Sequence, residues 1–496
     1  MDESCTHPVQ LAGLCAICGK DLSAECQRPS YHISHSTANL TVSYDEAERL
    51  GTRTKHALLK SSKLSLIVDL DQTVIHATVD PTVNNWLEDP SLVYEGAMEG
   101  VHKFKLGDFG AVDHHEFGSW YFVKFRPGLM DFLEDMNRIY EMHVYTMGTK
   151  SYASAICQLI DPDGKYFSDR ILSRDDSGSF TSKSLLRLFP TDTSMCVIID
   201  DRSDVWDDCP NLVKCIPFEF FVGIGDINAS AVLHKKEEEK EDSNESLSKQ
   251  ADQRPLAKRQ EEHRQLVSRA PDGELQRLSK LLKHIHSTYY NYKNAGDNPD
   301  IKEIIPNMKK KVLQGVDMLF SSVIPLGVPL EVSSIYKMAV SFGALVHKTY
   351  SEQISHLVTA KKGTAKVEEA KKADVSHIVR PEWLFDSCAK WERLPEEEYY
   401  MEPPPSRPKR IVREDDGAKV DDVDWDAADQ ELEDFLNEES EDEGDSKSSN
   451  SKKRARESSS PVSAADDALQ KRYKGEESDK ESDDYEDFAN ELDGMI

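Results

Sequence analysis

Two aspartates, Asp69 and Asp71, stand two residues apart in the run DLDQT, directly after the apolar stretch KLSLIV. A second pair, Asp200 and Asp201, closes MCVIIDD, and Thr146 closes EMHVYT. These residue types suit displacement at phosphorus. A carboxylate attacking an anionic phosphate meets repulsion, so a divalent cation must neutralise both, and Mg²⁺ takes hard oxygen ligands. Asp69, Asp200 and the backbone carbonyl of Asp71 can supply them. Attack by Asp69 would give an aspartyl-phosphate and split one displacement into two. Asp71 can protonate the leaving alkoxide and then deprotonate the attacking water. The hydroxyl of Thr146 and a cation, for which Lys183 in TSKSL is the best candidate, would hold the non-bridging oxygens. Asp-x-Asp alone reads as a turn or a calcium loop. With Thr146, Lys183 and Asp200-Asp201 following in order, phosphoryl transfer becomes the reading.

The elements that must position these groups are visible in the same runs. KLSLIVDLDQT (63–73), EMHVYT (141–146) and MCVIIDD (195–201) are rich in Val, Ile and Leu with little alternation, as strands buried on both faces of a parallel sheet require. Helical stretches fall between them, among them PGLMDFLEDMNRIY (127–140), with Pro127 placed in a first turn. The pattern predicts an α/β, doubly wound parallel sheet, whose ligands lie beyond the carboxyl ends of its strands. The chain of 496 residues has room for more than one core. We expect a Cys-containing segment at 1–54, a catalytic domain at 55–226 with a helical insertion at 275–305, and a charged mobile loop at 227–274. A second α/β domain follows at 306–402, then a disordered acidic tail at 403–496. The net charge of −30 is concentrated in that tail, which argues against duplex binding and for basic partners or solvation. Nine cysteines without a disulfide framework suit a reducing compartment. The start MDESCTHPVQ shows no signal segment, and no apolar run reaches membrane-spanning length.

DLDQT, YT, the downstream Lys and IIDD resemble the haloacid dehalogenase phosphotransferase superfamily. The order of segments is similar, more closely, to the Fcp-type phosphatases of the RNA polymerase II C-terminal domain. That resemblance implies Asp69 as nucleophile, Asp71 as general acid/base, Thr146 and Lys183 on phosphate, and Asp200 with Asp201 at a Mg²⁺ site. It further assigns Arg126 in KFRPG, Asp161 in IDPDG and Arg174 in SRDD to positions needed for activity. From sequence alone the two arginines read equally as surface ion pairs or as groups that hold a peptide phosphate. The implied substrate is phosphoserine in the polymerase's phosphorylated heptad repeats, and the implied compartment the nucleus. A protein substrate needs an open site, and the alternating residues of EGAMEGVHKFKLGDFGAVDHHEFGSWYFVKF read as a hairpin beside it, with His114 and His115 exposed there.

Residues 306–402 resemble a BRCT domain, with Gly315 in LQGV and Trp383 in PEWLFDSC as hallmarks. A phosphate pocket there would use Gly315, Thr364 and Lys366, although Gln314 replaces the usual hydroxyl residue. Cys5, His7, Cys15 and Cys18 offer the donors of a zinc site without a standard second knuckle. The other reading is a small hairpin with reduced thiols. In the tail, Tyr485, Phe488, Leu492 and Met495 share one helical face. By the resemblance that face binds the large subunit of general transcription factor IIF. Trp425, Leu432, Phe435 and Leu436 form a second stripe for factor IIB or IIF. KKRAR (452–456) and KRYK (471–474) read as a nuclear import signal. We expect a monomer, since no coiled-coil seam is evident.

Overall fold

A computed structural model describes residues 5–22, 30–32, 40–107, 118–228, 247, 251–262, 266–268, 271–325, 327–373 and 375–401. His114 and His115, the import signal, Trp425, Leu432, Phe435, Leu436 and the Tyr485–Met495 face lie outside these residues.

The three apolar runs form strands Leu64–Val68, Tyr140–Tyr145 and Cys196–Asp200. They are the centre of a five-stranded parallel sheet, with Ile171–Leu172 beside Tyr140–Tyr145 at one edge and Leu212–Lys214 beside Cys196–Asp200 at the other. Leu64–Val68 lies in the middle, paired in parallel to both neighbours. Every residue of Leu64–Val68 is buried, which is why the run lacks polar alternation. Numbered along the chain, these strands stand in the order 3-2-1-4-5, so the first strand sits where the winding reverses and the crevice for a ligand opens.

Helix Leu129–Ile139 starts two residues after Pro127, because Gly128 at φ 80 takes the cap position and turns the chain into it. It packs with the long helix Glu274–Asn294, whose Leu275, Leu278, Leu282, Ile285 and Tyr289 join the core of the catalytic sheet. Tyr292 is half exposed at the end of that helix. Between the first and second sheet strands, Ile75–Thr78, Ser119–Phe125 and Val101–Leu106 make a separate antiparallel sheet. Part of the 227–274 stretch departs from the expected loop. Pro255–Glu261 is a helix whose Leu256 is fully buried with Trp86, Phe122 and Phe221. One leucine at the right turn of a charged helix suffices to seat it, which average charge along the stretch conceals.

The second domain is a four-stranded parallel sheet in the order Leu345–His347, Asp317–Ser321, His356–Thr359, His377–Val379. Helices Ser334–Ser341, Ala365–Lys372 and Pro381–Lys390 surround it. KVLQGV, an apolar run that could pass for a strand, is a turn after helix Ile301–Lys309. Gly315 takes φ 81 there, and the strand begins at Asp317. Trp383 is buried and its indole N–H donates to the Leu394 carbonyl at 2.9 Å, a core role. Among the described residues no helix is long and apolar enough to cross a membrane.

Candidate active site

The carboxyl ends of the three central strands meet, and each contributes what its sequence end offered. Asp69 follows the first strand directly, its amide donating to the Ile199 carbonyl at 3.1 Å. The chain then turns. Gln72 adopts φ 53, the amides of Val74 and Ile75 both donate to the Leu70 carbonyl, and Asp71 is thereby folded back over the strand end. Lys183 reaches in from the loop before the fourth strand. Its ammonium donates to Asp69 Oδ1 and to Asp200 Oδ2, both at 2.6 Å, and is buried with them. Asp200 also accepts from the Trp206 indole at 2.8 Å and from the Arg202 amide at 2.8 Å. Asp201 accepts from the Thr73 hydroxyl at 3.1 Å. Thr146, fully buried at the second strand end, accepts from the Gly148 amide at 3.0 Å. Its hydroxyl hydrogen is thus left to donate to an anion. Gly148 cannot be larger, since a Cβ there would lie 2.6 Å from the Tyr152 ring.

The two aspartates of DLDQT differ in surroundings. Asp69 is bound to a cation, whereas Asp71 is held by neutral groups: Tyr152 Oη at 2.5 Å from one oxygen and Asn228 Nδ2 at 3.0 Å from the other. Burial, with the Asp226 charge adding, pushes the Asp71 carboxyl up to about 7, against those two hydrogen bonds. A carboxyl in that range can carry a proton at neutral pH and also give it up, as a general acid and base must. Burial and the Asp200 charge raise Asp201 to about 8. Burial lowers Lys183, but Asp200 and Asp69 outweigh it and hold the ammonium above its ordinary range.

The charge balance tests the fit of a divalent cation. The Lys183 ammonium contacts Asp69 and Asp200 and its charge also acts on Asp71, Asp201 and Asp226, while Arg202 comes to 3.9 Å from Asp226. One oxygen from each of Asp69, Asp200 and Asp201 lies within 4.8 Å of the others. So many buried carboxylates of hard oxygen character match Mg²⁺.

The remaining predicted residues divide. Arg126 is buried and fully engaged. It donates to Asp272 at 3.1 Å, to the Thr73 carbonyl at 2.9 Å and to the Ile216 carbonyl at 2.8 Å. It is not a surface ion pair; its hydrogen bond to the Thr73 carbonyl braces the DLDQT loop. Asp161 accepts from the amides of Lys165, Tyr166 and Phe167 at 2.7 to 2.8 Å and ties a turn after helix Lys150–Ile160. Arg174 is half-buried beside the Thr146 loop. Its amide donates to the Gly148 carbonyl at 3.0 Å, and its guanidinium lies over Phe180. In the second domain Thr364 and Lys366 sit at the carboxyl end of strand Asp317–Ser321, where the Thr364 and Ser321 hydroxyls are 2.9 Å apart and Lys366 donates to the Phe320 carbonyl. Gly315 lies before the opposite end of that strand, so the expected trio does not assemble. Ser321 holds the place assigned to it. Sequence reasoning missed Thr73, Tyr152, Asp226 and Asn228. Only Asp226, flanked by glycine in GIGDIN, left a trace to follow.

Residues 64–243 match the model of the NLI interacting factor-like phosphatase family, and residues 299–388 that of the BRCA1 C Terminus (BRCT) domain. The RNA polymerase II C-terminal domain phosphatase of Schizosaccharomyces pombe is 39% identical over 98% of this chain and 82% of its own length. That of Saccharomyces cerevisiae is 35% identical over 80% of this chain and 65% of its own length. A solved structure of fission yeast RNA polymerase II CTD phosphatase Fcp1 bound to beryllium fluoride is 45% identical, covers 71% of this chain and 100% of that one, and superposes with a TM-score of 0.62.

Proposed function

The chain belongs to the RNA polymerase II C-terminal domain phosphatases, and from that membership we propose that it removes phosphate from serines in the heptad-repeat C-terminal domain of the polymerase's largest subunit. One observation carries the mechanism. The Lys183 ammonium holds Asp69 and Asp200 together at 2.6 Å each, while Asp71 is kept apart from it by Tyr152 and Asn228. Paired carboxylates in unlike surroundings take unlike roles.

Mg²⁺, held by Asp69, Asp200, Asp201 and the Asp71 carbonyl, would supply the charge neutralisation that lets one anion approach another. A carboxylate oxygen of Asp69 forms a bond to phosphorus as the bond to the serine oxygen breaks. Asp71 gives its proton to that serine oxygen. Asp71, now ionised, takes a proton from water, whose oxygen displaces Asp69 and releases phosphate. Thr146 donates a hydrogen bond to a non-bridging oxygen, and Lys183 offsets the negative charge that gathers there. Arg174, at the mouth beside the Thr146 loop, is placed to meet a peptide phosphate.

The setting proposed is nuclear, in support of polymerase recycling, by a monomer. Factor IIF, and factor IIB with it, would dock on the tail faces Tyr485–Met495 and Trp425–Leu436; their acidic and apolar composition supports this. The testing experiment measures phosphate release from a heptad phosphoserine peptide with Mg²⁺, with EDTA, and with Asp69→Asn. We expect release that needs Mg²⁺ and vanishes in the variant, which is nearly isosteric and should stay folded. Near-normal turnover by Asp69→Asn would end the aspartyl-phosphate mechanism.

A further inference from the structure

Ahead of the catalytic domain lies a small sheet that phosphoryl transfer does not use. Leu14–Cys15, Val9–Leu11, Leu40–Ser43 and Ser30–His32 form it, in that order and all antiparallel. Among the described residues from Cys5 to Ser43, Cys15 and Val42 are the buried apolar ones, while Leu11, Leu14 and Ile17 are 47%, 49% and 68% exposed. Beyond its packing on helix Tyr44–Ser61, where Tyr31 meets Tyr44, so small a sheet has little core of its own, and segments of this size are usually stabilised by a cross-link or a metal. Cys5, Cys15 and Cys18 are free thiols, so no disulfide among them supplies it.

What the sheet does assemble is a set of donors. Cys5 Sγ lies 3.8 Å from Cys15 Sγ, Cys18 Sγ lies 3.3 Å from His7 Nδ1, and one donor atom from each of the four residues lies within 4.8 Å of the rest. Zinc bonds of about 2.3 Å to sulfur and about 2.0–2.1 Å to nitrogen, at tetrahedral angles, set ligand edges of about 3.8 Å for S–S and about 3.5 Å for S–N. The 3.8 Å Cys5–Cys15 spacing falls on the first value and the 3.3 Å Cys18–His7 spacing lies just inside the second, whereas a disulfide would bring sulfurs to about 2.05 Å. The backbone is turned to suit. The Gly19 amide donates to the Cys15 carbonyl at 2.9 Å and closes the Cys-Ala-Ile-Cys turn, with Gly19 at φ 73. His7 adopts φ 51, in the left-handed region that histidine enters more readily than most side chains, and lies two residues from Cys5.

We propose that Cys5, His7 through Nδ1, Cys15 and Cys18 bind one structural zinc ion. Four protein ligands close the coordination shell, so the ion holds the fold and does no chemistry. The position gives it a purpose. Strand Leu40–Ser43 runs straight into helix Tyr44–Ser61, capped by the Ser43 hydroxyl, and that helix leads to the nucleophile's strand. The zinc therefore anchors the sheet from which the catalytic domain's first helix starts.

Metal content of the full chain, purified without added metal and dialysed, tests this. We expect about one zinc per chain in the parent, and near none in Cys15→Ser and Cys18→Ser. Cys209→Ser, a half-buried thiol elsewhere, should retain it, as should His7→Cys, which keeps four ligands and guards against mere misfolding. Cobalt(II) exchanged into the parent should give thiolate charge-transfer absorption that weakens in Cys5→Ser. Absence of zinc from the parent, iron in its place, or full zinc in both Cys15→Ser and Cys18→Ser would overturn the site. Zinc is read without any turnover, so this outcome and that of the phosphatase assay are independent.

Discussion

Asp71 owes its position to two residues far from it along the chain, Tyr152 on the helix after Thr146 and Asn228 on the loop after the last sheet strand. Their hydrogen bonds fix both carboxylate oxygens, so in the general acid role proposed for Asp71 they would set the direction of proton transfer. Removing either should leave substrate binding nearly intact and slow the chemistry. We expect Tyr152→Phe and Asn228→Ala each to lower kcat by about tenfold with little change in KM, a part of the 10²–10⁴ that general acid–base catalysis contributes. Steady-state kinetics on a phosphoserine peptide decides it, and a rise in KM at constant kcat would assign both residues to binding instead. Asp69, Asp71, Asp200, Asp201 and Thr146, which the structure brings together, were legible in the sequence because each sits at, or just past, a strand end that its apolar run announces, and Lys183 as a cation in the loop before the fourth strand. Tyr152 and Asn228 were not, because their role comes from how a helix and a loop return over the sheet. Nothing in YASAI or DINAS distinguishes them from ordinary surface or core positions.

Arg126 acts between elements. It follows hairpin strand Ser119–Phe125, and its guanidinium links the DLDQT loop, the chain after the last sheet strand and Asp272 just before helix Glu274–Asn294. Arg126→Ala would leave Asp272 and two carbonyls without their donor, at about 3–5 kcal/mol of stability. Arg126→Lys should be nearly as poor, since one ammonium cannot span the three directions of the planar fork. Urea unfolding of both variants measures the loss, and full stability with activity alone lost would show that Arg126 meets the substrate directly. The same scale explains what the sequence hid. Buried parallel strands carry a signal in every residue, so the sheet was readable. Helix Pro255–Glu261 buries chiefly Leu256, and KVLQGV carries apolar residues because a turn, not a strand, tucks Leu313 and Val316 inside. Short apolar runs do not separate these cases.

Across the whole molecule, buried ionisable groups set opposing responses to pH. Asp71 and Asp201, raised to about 7 and about 8, favour the fold in their protonated forms and weaken it as pH rises. His76 works the other way. Its ring is buried against Phe218 and Phe221, accepts the amides of Phe220 and Phe221 on Nδ1, and donates from Nε2 to the Ile224 carbonyl. Only the neutral imidazole can do this, and burial lowers its pKa from 6.5 to about 4. The folded value lies below the unfolded one, so the stabilisation is complete above pH 6.5 and is lost as pH falls toward 4, by about 3 kcal/mol. His356, buried in the second domain and likewise lowered to about 4, adds to the same limb. The carboxylates mask the net slope, so a difference between two proteins is the sound measure. His76→Gln keeps a donor and an acceptor but cannot take a proton. Between pH 6.5 and 4, urea midpoints of the parent should fall more steeply than those of His76→Gln, and above pH 6.5 the two curves should run parallel. Parallel curves across that window would mean that His76 is charged in the folded protein, and that the loop Phe218–Ile224 holds it by contacts other than these hydrogen bonds.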